Sequence, residues 1–152
     1  MKHLLSVENI QTCFKTDRGL ETAVDGVSFY LDPGEIIGLV GESGSGKSVT
    51  MLSTIQLVSP PGRVKGGVVK IGDDPHNILE YAPNSAKMRG IRGGQISMIF
   101  QEPMTSLNPV FPIGFQIQEN ITLHLKMNKE EAKAKTIEML KMVGIPDAEQ
   151  RY

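Results

Sequence analysis

Two stretches near the start of the chain, residues 3–15 and 21–32, carry alternating or β-branched apolar positions and are separated by Asp17-Arg18-Gly19. Period-two alternation marks a half-buried strand, and Asp and Gly mark the turn between two of them. Pro33-Gly34 then breaks the chain before Glu35-Ile36-Ile37-Gly38-Leu39-Val40. An apolar run bounded by glycines suits a buried strand of a parallel sheet. From Lys47 the spacing becomes helical through Met51, Leu52, Ile55 and Val58, until Pro60-Pro61-Gly62 stops it. Gly66-Gly67-Val68-Val69-Lys70-Ile71-Gly72 reads as a short strand, and Ile96-Ser97-Met98-Ile99-Phe100 as a buried one.

Beyond Pro112 the pattern predicts helices. Ile113, Ile117, Ile121 and Leu125 lie four apart on one face, although residues 121–127 also alternate as a strand would. Asn128 with Glu131 three residues on resembles a capping box, opening a helix with Ile137, Leu140 and Val143 on its apolar face. Gly144 and Pro146 stop it in the expected order. Strands and helices interleave, which makes the class α/β.

Composition narrows the function classes. The 152 residues are 39% hydrophobic and 22% charged, a balance that builds a core and suits one ordinary domain. Sixteen basic against seventeen acidic residues give a net charge of -1, which argues against nucleic acid as a partner for a broad cationic face. Apolar runs are too short to span a bilayer. The opening Met1-Lys2-His3-Leu4-Leu5-Ser6-Val7-Glu8 meets an acid too early for a signal peptide, so a soluble cytoplasmic protein is expected. The single cysteine, Cys13, is read as a small apolar filler. His3, His76 and His124 are read as surface or turn residues.

The chemistry is concentrated in Gly41-Glu42-Ser43-Gly44-Ser45-Gly46-Lys47-Ser48, a complete G-x-x-x-x-G-K-[ST] octet between an apolar run and a helix. Glycines let the backbone wrap closely around phosphate, and successive N–H groups form an anion nest at the positive end of the helix. Lys47 supplies a charge to the outer phosphates, and the Ser48 hydroxyl is placed to ligate Mg²⁺. Val49, next in the chain, is read with the octet as part of the nucleotide-binding site. The octet predicts a nucleoside triphosphate site. A second string, Ile96-Ser97-Met98-Ile99-Phe100-Gln101-Glu102-Pro103-Met104-Thr105-Ser106-Leu107-Asn108-Pro109, ends a predicted strand on Gln101. There it is either a polar strand terminus or a group reaching the metal or water beside a γ-phosphate.

Val24-Asp25-Gly26-Val27-Ser28-Phe29, the octet and the string around Gln101 resemble ATP-binding subunits of ABC transporters. With Pro60-Pro61-Gly62-Arg63 and Gly66-Gly67, they are similar to the dipeptide/oligopeptide importer branch, which also includes nickel and glutathione importers. The resemblance implies a P-loop NTPase fold with an N-terminal antiparallel β region and core to about residue 111. The start of a helical subdomain facing the membrane partner is implied from about 112 to 152. It implies ATP and Mg²⁺ as ligands, Gln101 as the Q-loop glutamine coupling nucleotide to the membrane subunits, and Phe14 as the aromatic residue stacking on adenine. The partners it implies are a second ATPase subunit, transmembrane permease subunits and, indirectly, an extracytoplasmic substrate-binding protein. The place of work is the cytoplasmic face of the membrane.

That family's pattern continues into an LSGGQ-like signature, a Walker B Asp with a catalytic Glu, and a switch His, and none occurs in these 152 residues. The acidic Val68-Val69-Lys70-Ile71-Gly72-Asp73-Asp74 is broken by Lys70 and Gly72 and precedes the Gln101 string, the wrong order. The expectation is therefore the N-terminal part of one ATPase domain, inactive in hydrolysis by itself. In the resembling fold the Walker B strand lies beside the strand that leads into the octet, so Ile36, Ile37, Leu39 and Val40 are expected to be exposed. A GTPase is a weaker reading: Asn128-Lys129-Glu130-Glu131 has Glu131 where the guanine motif requires Asp, and no D-x-x-G follows the octet.

Overall fold

The computed structural model describes residues 3–101 and 106–152. Two compact units divide the chain, Met1–Arg92 and Gly93–Tyr152. Of the string around Gln101, the segment Glu102-Pro103-Met104-Thr105 lies outside the described residues.

The first unit is built on β1 (Leu5–Thr16), β2 (Gly19–Leu31) and β3 (Gly62–Ile71), in the spatial order β2-β1-β3 and antiparallel throughout. Thr16 pairs with Gly19 across the predicted Asp17-Arg18 turn. The central strand supplies the core: Val7, Ile10, Thr12 and Cys13 are buried, with Val69 of β3 and Val24 of β2. β-Branched residues dominate because they pack well on a pleated surface. Gly67, at φ +118, passes so close to β1 that a Cβ there would lie 2.6 Å from the Ile10 Cα. Only glycine fits that crossing.

Helix α1 (Lys47–Thr54) lies against this sheet, with Thr50, Ser53 and Thr54 buried. Ser53 Oγ lies 2.7 Å from Thr12 Oγ1 in a fully buried hydrogen bond between helix and strand. The helix is shorter than its apolar spacing predicts: Ile55 caps it and Gln56 turns left-handed, so Val58 falls outside. A 3₁₀ turn (Ile78–Glu80) and a short helix α2 (Ala86–Ile91) complete the unit, burying Ile78 and Met88.

Neither predicted parallel strand forms. Residues 35–40 and 97–100 are irregular, Ile96 makes only an isolated bridge, and several apolar side chains face outward: Ile36 is 95% exposed, Val40 92% and Ile99 99%. The buried-strand expectation is corrected for both, whereas the exposure expected for Ile36, Ile37, Leu39 and Val40 is what the structure has. The physical reason is that a parallel strand exists only through hydrogen bonds to neighbours. Among the described residues the only sheet is β2-β1-β3, and it includes neither segment.

The second unit packs α3 (Ile113–Leu125) on α4 (Lys129–Met142). Residues 121–125 are helical, which settles the ambiguity between helix and strand over that stretch. The capping box is present: Asn128 Oδ1 accepts from Glu130 N and Glu131 N, each at 3.0 Å, and Glu131 accepts from Asn128 N at 3.0 Å. Ile121, Ala132, Thr136 and Leu140 are buried, whereas Val143, expected on the inner face, is 72% exposed beyond the last turn. Gly114 accounts for a glycine inside α3, because a Cβ there would meet the Tyr152 ring at 2.6 Å. The Tyr152 hydroxyl donates to Gln118, and Lys133 Nζ stands 4.8 Å above the same ring.

Candidate phosphate-binding site

The octet forms a loop that enters α1 directly. Gly44 and Gly46 sit at φ +82 and +87, a region L side chains rarely adopt. Gly46 is constrained twice, since a Cβ on it would lie 2.6 Å from the Ala23 carbonyl oxygen of β2. It is also the N-cap of α1 and offers no side chain to the first-turn N–H groups. A helix start without a side-chain cap leaves donors for an anion, and the helix dipole favours one there.

Lys47 folds over this loop. Its Nζ donates to the carbonyl oxygens of Gly41 at 2.8 Å and Glu42 at 2.6 Å, and to Ser45 Oγ at 3.3 Å. The charge is thereby held above the glycines by main-chain acceptors. Ser45 N bonds back to Glu42 O at 3.2 Å, closing the turn through Ser43 and Gly44. A cavity of about 400 Å³ opens here, lined by Thr22 and Ala23 of β2 and by Gly44, Ser45, Gly46, Lys47, Ser48 and Val49. Ser48 is exposed beside it. The donor set is therefore N–H groups, an ammonium and the three hydroxyls of Thr22, Ser45 and Ser48 around a space that glycines keep clear, which fits a polyphosphate. A hydroxyl beside phosphate oxygens fits Mg²⁺.

We expect Gly46→Ala to lower phosphate binding by at least about tenfold while β1, β2 and β3 remain folded, because the methyl group collides with fixed backbone at a left-handed position. Titration with ATP alongside far-ultraviolet circular dichroism checks this.

Phe14 is not among the residues that line the cavity. Phe14, near the end of β1, is paired with Glu21 and Gly62, and its ring lies against Gly62, where an added Cβ would meet Phe14 Cε1 at 2.5 Å and Val58 Cγ1 at 2.6 Å. Gln101 belongs to the second unit and is exposed. Thr22 and Ala23, which form one wall, carry no signal in the motif. Nor does Arg92, which donates to the carbonyl oxygens of Ile55, Pro83 and Gln56 at 2.8, 2.9 and 2.6 Å. Burial lowers its pKa from the usual arginine value.

The sequence profile of the ABC transporter family matches residues 24–152. The chain belongs to the ABC transporter family. Similar relatives support this placement over nearly the whole chain. The oligopeptide transport ATP-binding protein AppD of Bacillus subtilis (strain 168) is 47% identical over 151 residues, covering 99% of this chain and 45% of AppD. The oligopeptide transport ATP-binding protein OppD of the same organism is 46% identical over 151 residues, covering 97% of this chain and 40% of OppD. The glutathione import ATP-binding protein GsiA of Pectobacterium atrosepticum is 43% identical, covering 97% of this chain and 24% of GsiA. The chain thus spans less than half the length of these relatives. Among the described residues no helix is long and apolar enough to cross a membrane.

Proposed function

We propose that this chain is the nucleotide-binding part of an ATP-binding subunit that energises peptide import through an ABC transporter. The observation that carries the reading is the phosphate cradle, in which Lys47 and the uncapped start of α1 face one cavity. The oligopeptide transport relatives supply the substrate class. ATP is the ligand, with Gly41, Glu42, Ser43, Gly44, Ser45 and Gly46 forming the loop around its phosphates. Lys47 neutralises the outer phosphate oxygens, and Ser48 and Gln101 serve Mg²⁺. Bound Mg²⁺ supplies charge stabilisation as the γ-phosphoryl group leaves.

Base binding falls to Phe14. Stacking on a purine is sequence-tolerant and worth about 1–3 kcal/mol, so Phe14→Ala weakens ATP and GTP by similar factors. Competition titrations of both nucleotides test this, and a preference for GTP that survives the substitution would favour a GTPase.

The partners are transmembrane permease subunits, a second ATPase subunit and, indirectly, an extracytoplasmic substrate-binding protein. On this reading the protein works as a peripheral subunit at the cytoplasmic face of the membrane. The second unit supports a membrane-subunit contact, since α3 exposes Phe115 at 54% and Leu123 at 66% beside a groove that Gln118, Glu119, Thr122 and Lys129 also line. The test is reconstitution of the whole transporter in vesicles. Gln101→Ala leaves nucleotide affinity near its original value and reduces peptide uptake and ATP hydrolysis together. Full uptake by that variant would remove Gln101 from the mechanism. The similarity to a glutathione importer subunit favours glutathione as the second substrate to assay in the same vesicles.

A further inference from the structure

Helix α1 ends in a turn for which glycine is the usual residue, yet this chain places a glutamine there. Gln56 N donates to Ser53 O at 3.1 Å and Leu57 N to Leu52 O at 2.8 Å, the two bonds of a Schellman turn. Gln56 holds the left-handed position at φ +53. Side chains other than Gly and Asn adopt that conformation at a cost, which has to be offset by contacts. Those contacts are specific: Gln56 Nε2 donates to Ile78 O at 2.9 Å and to Tyr81 O at 3.0 Å, tying the turn to the 3₁₀ segment.

The same turn receives Arg92. Its Nε donates to Ile55 O at 2.8 Å and its Nη2 to Gln56 O at 2.6 Å, two carbonyls just past the last turn of α1. Its Nη1 reaches Pro83 O at 2.9 Å in the segment before α2. A guanidinium has donors in a fixed fork, so three simultaneous bonds set a direction as well as a distance. Its positive charge also stands at the negative end of the helix dipole. Arg92 and Gln56 therefore clamp one end of a helix of eight residues, about 12 Å long. The other end of that helix is the phosphate cradle. A rod this short transmits a tilt at one end to the other, and charge-assisted bonds to phosphate weaken over a few tenths of an ångström.

We propose that Arg92, braced by Gln56, is a positioning residue for the phosphate cradle. It touches no nucleotide and acts through α1, holding the first-turn N–H groups and Lys47 in the arrangement that receives the phosphates. The inference rests on the reading of the cradle as an ATP site.

The experiment uses the full chain and the variants Arg92→Ala, Arg92→Lys and Gln56→Gly, titrated with ATP and Mg²⁺ and unfolded thermally in parallel. Arg92→Ala lowers ATP affinity by about tenfold, the loss expected when charged hydrogen bonds that organise the site are removed. Arg92→Lys recovers part of it, because a lysine keeps the charge and can meet one of the three carbonyls. Gln56→Gly relieves the left-handed strain and deletes the amide bonds, so it keeps its thermal midpoint and loses affinity about threefold. Hydrogen exchange supplies a reading that a merely structural role would not move. In the wild type, ATP slows exchange at the Gln56 and Leu57 amides at the far end of α1, and in Arg92→Ala this distant protection is lost. Folded Arg92→Ala with unchanged affinity and undiminished distant protection would overturn the proposal. Should Arg92→Ala fail to fold, unchanged affinity in both Arg92→Lys and Gln56→Gly would overturn it equally. A wild type that does not bind ATP would remove the ATP reading as well, whereas wild-type binding with unaffected variants removes only the role of Arg92.

Discussion

Lys47→Ala lowers the affinity of the chain for ATP by one to two orders of magnitude and leaves its thermal unfolding nearly unchanged. The two halves of this result have separate causes. Among the described residues Nζ bonds to the octet itself, to Gly41 O, Glu42 O and Ser45 Oγ, and these contacts are exposed. Removing them costs the fold little, because exposed polar contacts exchange readily with water. With nucleotide present, the ammonium turns from carbonyl dipoles to full phosphate charges. Charge-assisted bonds of that kind contribute roughly 1.5–3 kcal/mol each, about one to two orders of magnitude in affinity. The nest of N–H groups survives the substitution, so residual binding persists. Calorimetric titration of both proteins decides the matter, and equal affinities would remove Lys47 from the site. The same variant is the control for phosphate release by the chain itself. That release is expected at background, since the 152 residues carry no Walker B carboxylate and no signature loop.

The cradle was legible from the letters because its information is local. Positive φ, close backbone approach and a helix start are each written within eight consecutive residues, and Gly44, Gly46 and Lys47 stand as the motif requires. The capping box at Asn128 and the hairpin at Asp17-Arg18 are legible for the same reason. Residues 35–40 show where locality ends. Their apolar pattern states a preference for burial between neighbours, while strand formation depends on partners that the pattern does not name. The end of α1 is hidden differently. Helical spacing continues through Ile55 to Val58, and the stop comes from Gln56 in a conformation that glutamine rarely adopts. Its reason lies in Ile78, Tyr81 and Arg92, more than twenty residues away. Arg92, flanked by Gly93 and Ile91, reads as an ordinary surface charge until its three acceptors are seen.

Self-association of the purified chain, suppressed by charge at Ile36 and Val40, is the second large effect expected. Ile36 and Val40 are 95% and 92% exposed, and Ile37 and Leu39 are each 45% exposed in the same six-residue stretch. Among the described residues the backbone of 36–40 belongs to no sheet, and such a segment can template pairing with another chain. Ile99, 99% exposed, and Phe100, 55% exposed, form a second stretch of the same kind in the other unit. Apolar segments with unsatisfied strand edges associate at micromolar to millimolar concentration. Sedimentation velocity across a dilution series is therefore expected to show concentration-dependent species larger than monomer. Ile36→Lys with Val40→Lys shifts the distribution to monomer, since two like charges within five residues oppose pairing of identical segments. Ile99→Lys adds to that shift. Leu20→Lys, on the exposed part of β2 at 48% exposure, leaves it unchanged and serves as the control for added charge. Association that persists undiminished in the triple lysine variant would show that neither stretch carries it, and a wild type that stays monomeric throughout would show that these apolar side chains are tolerated in water as they stand.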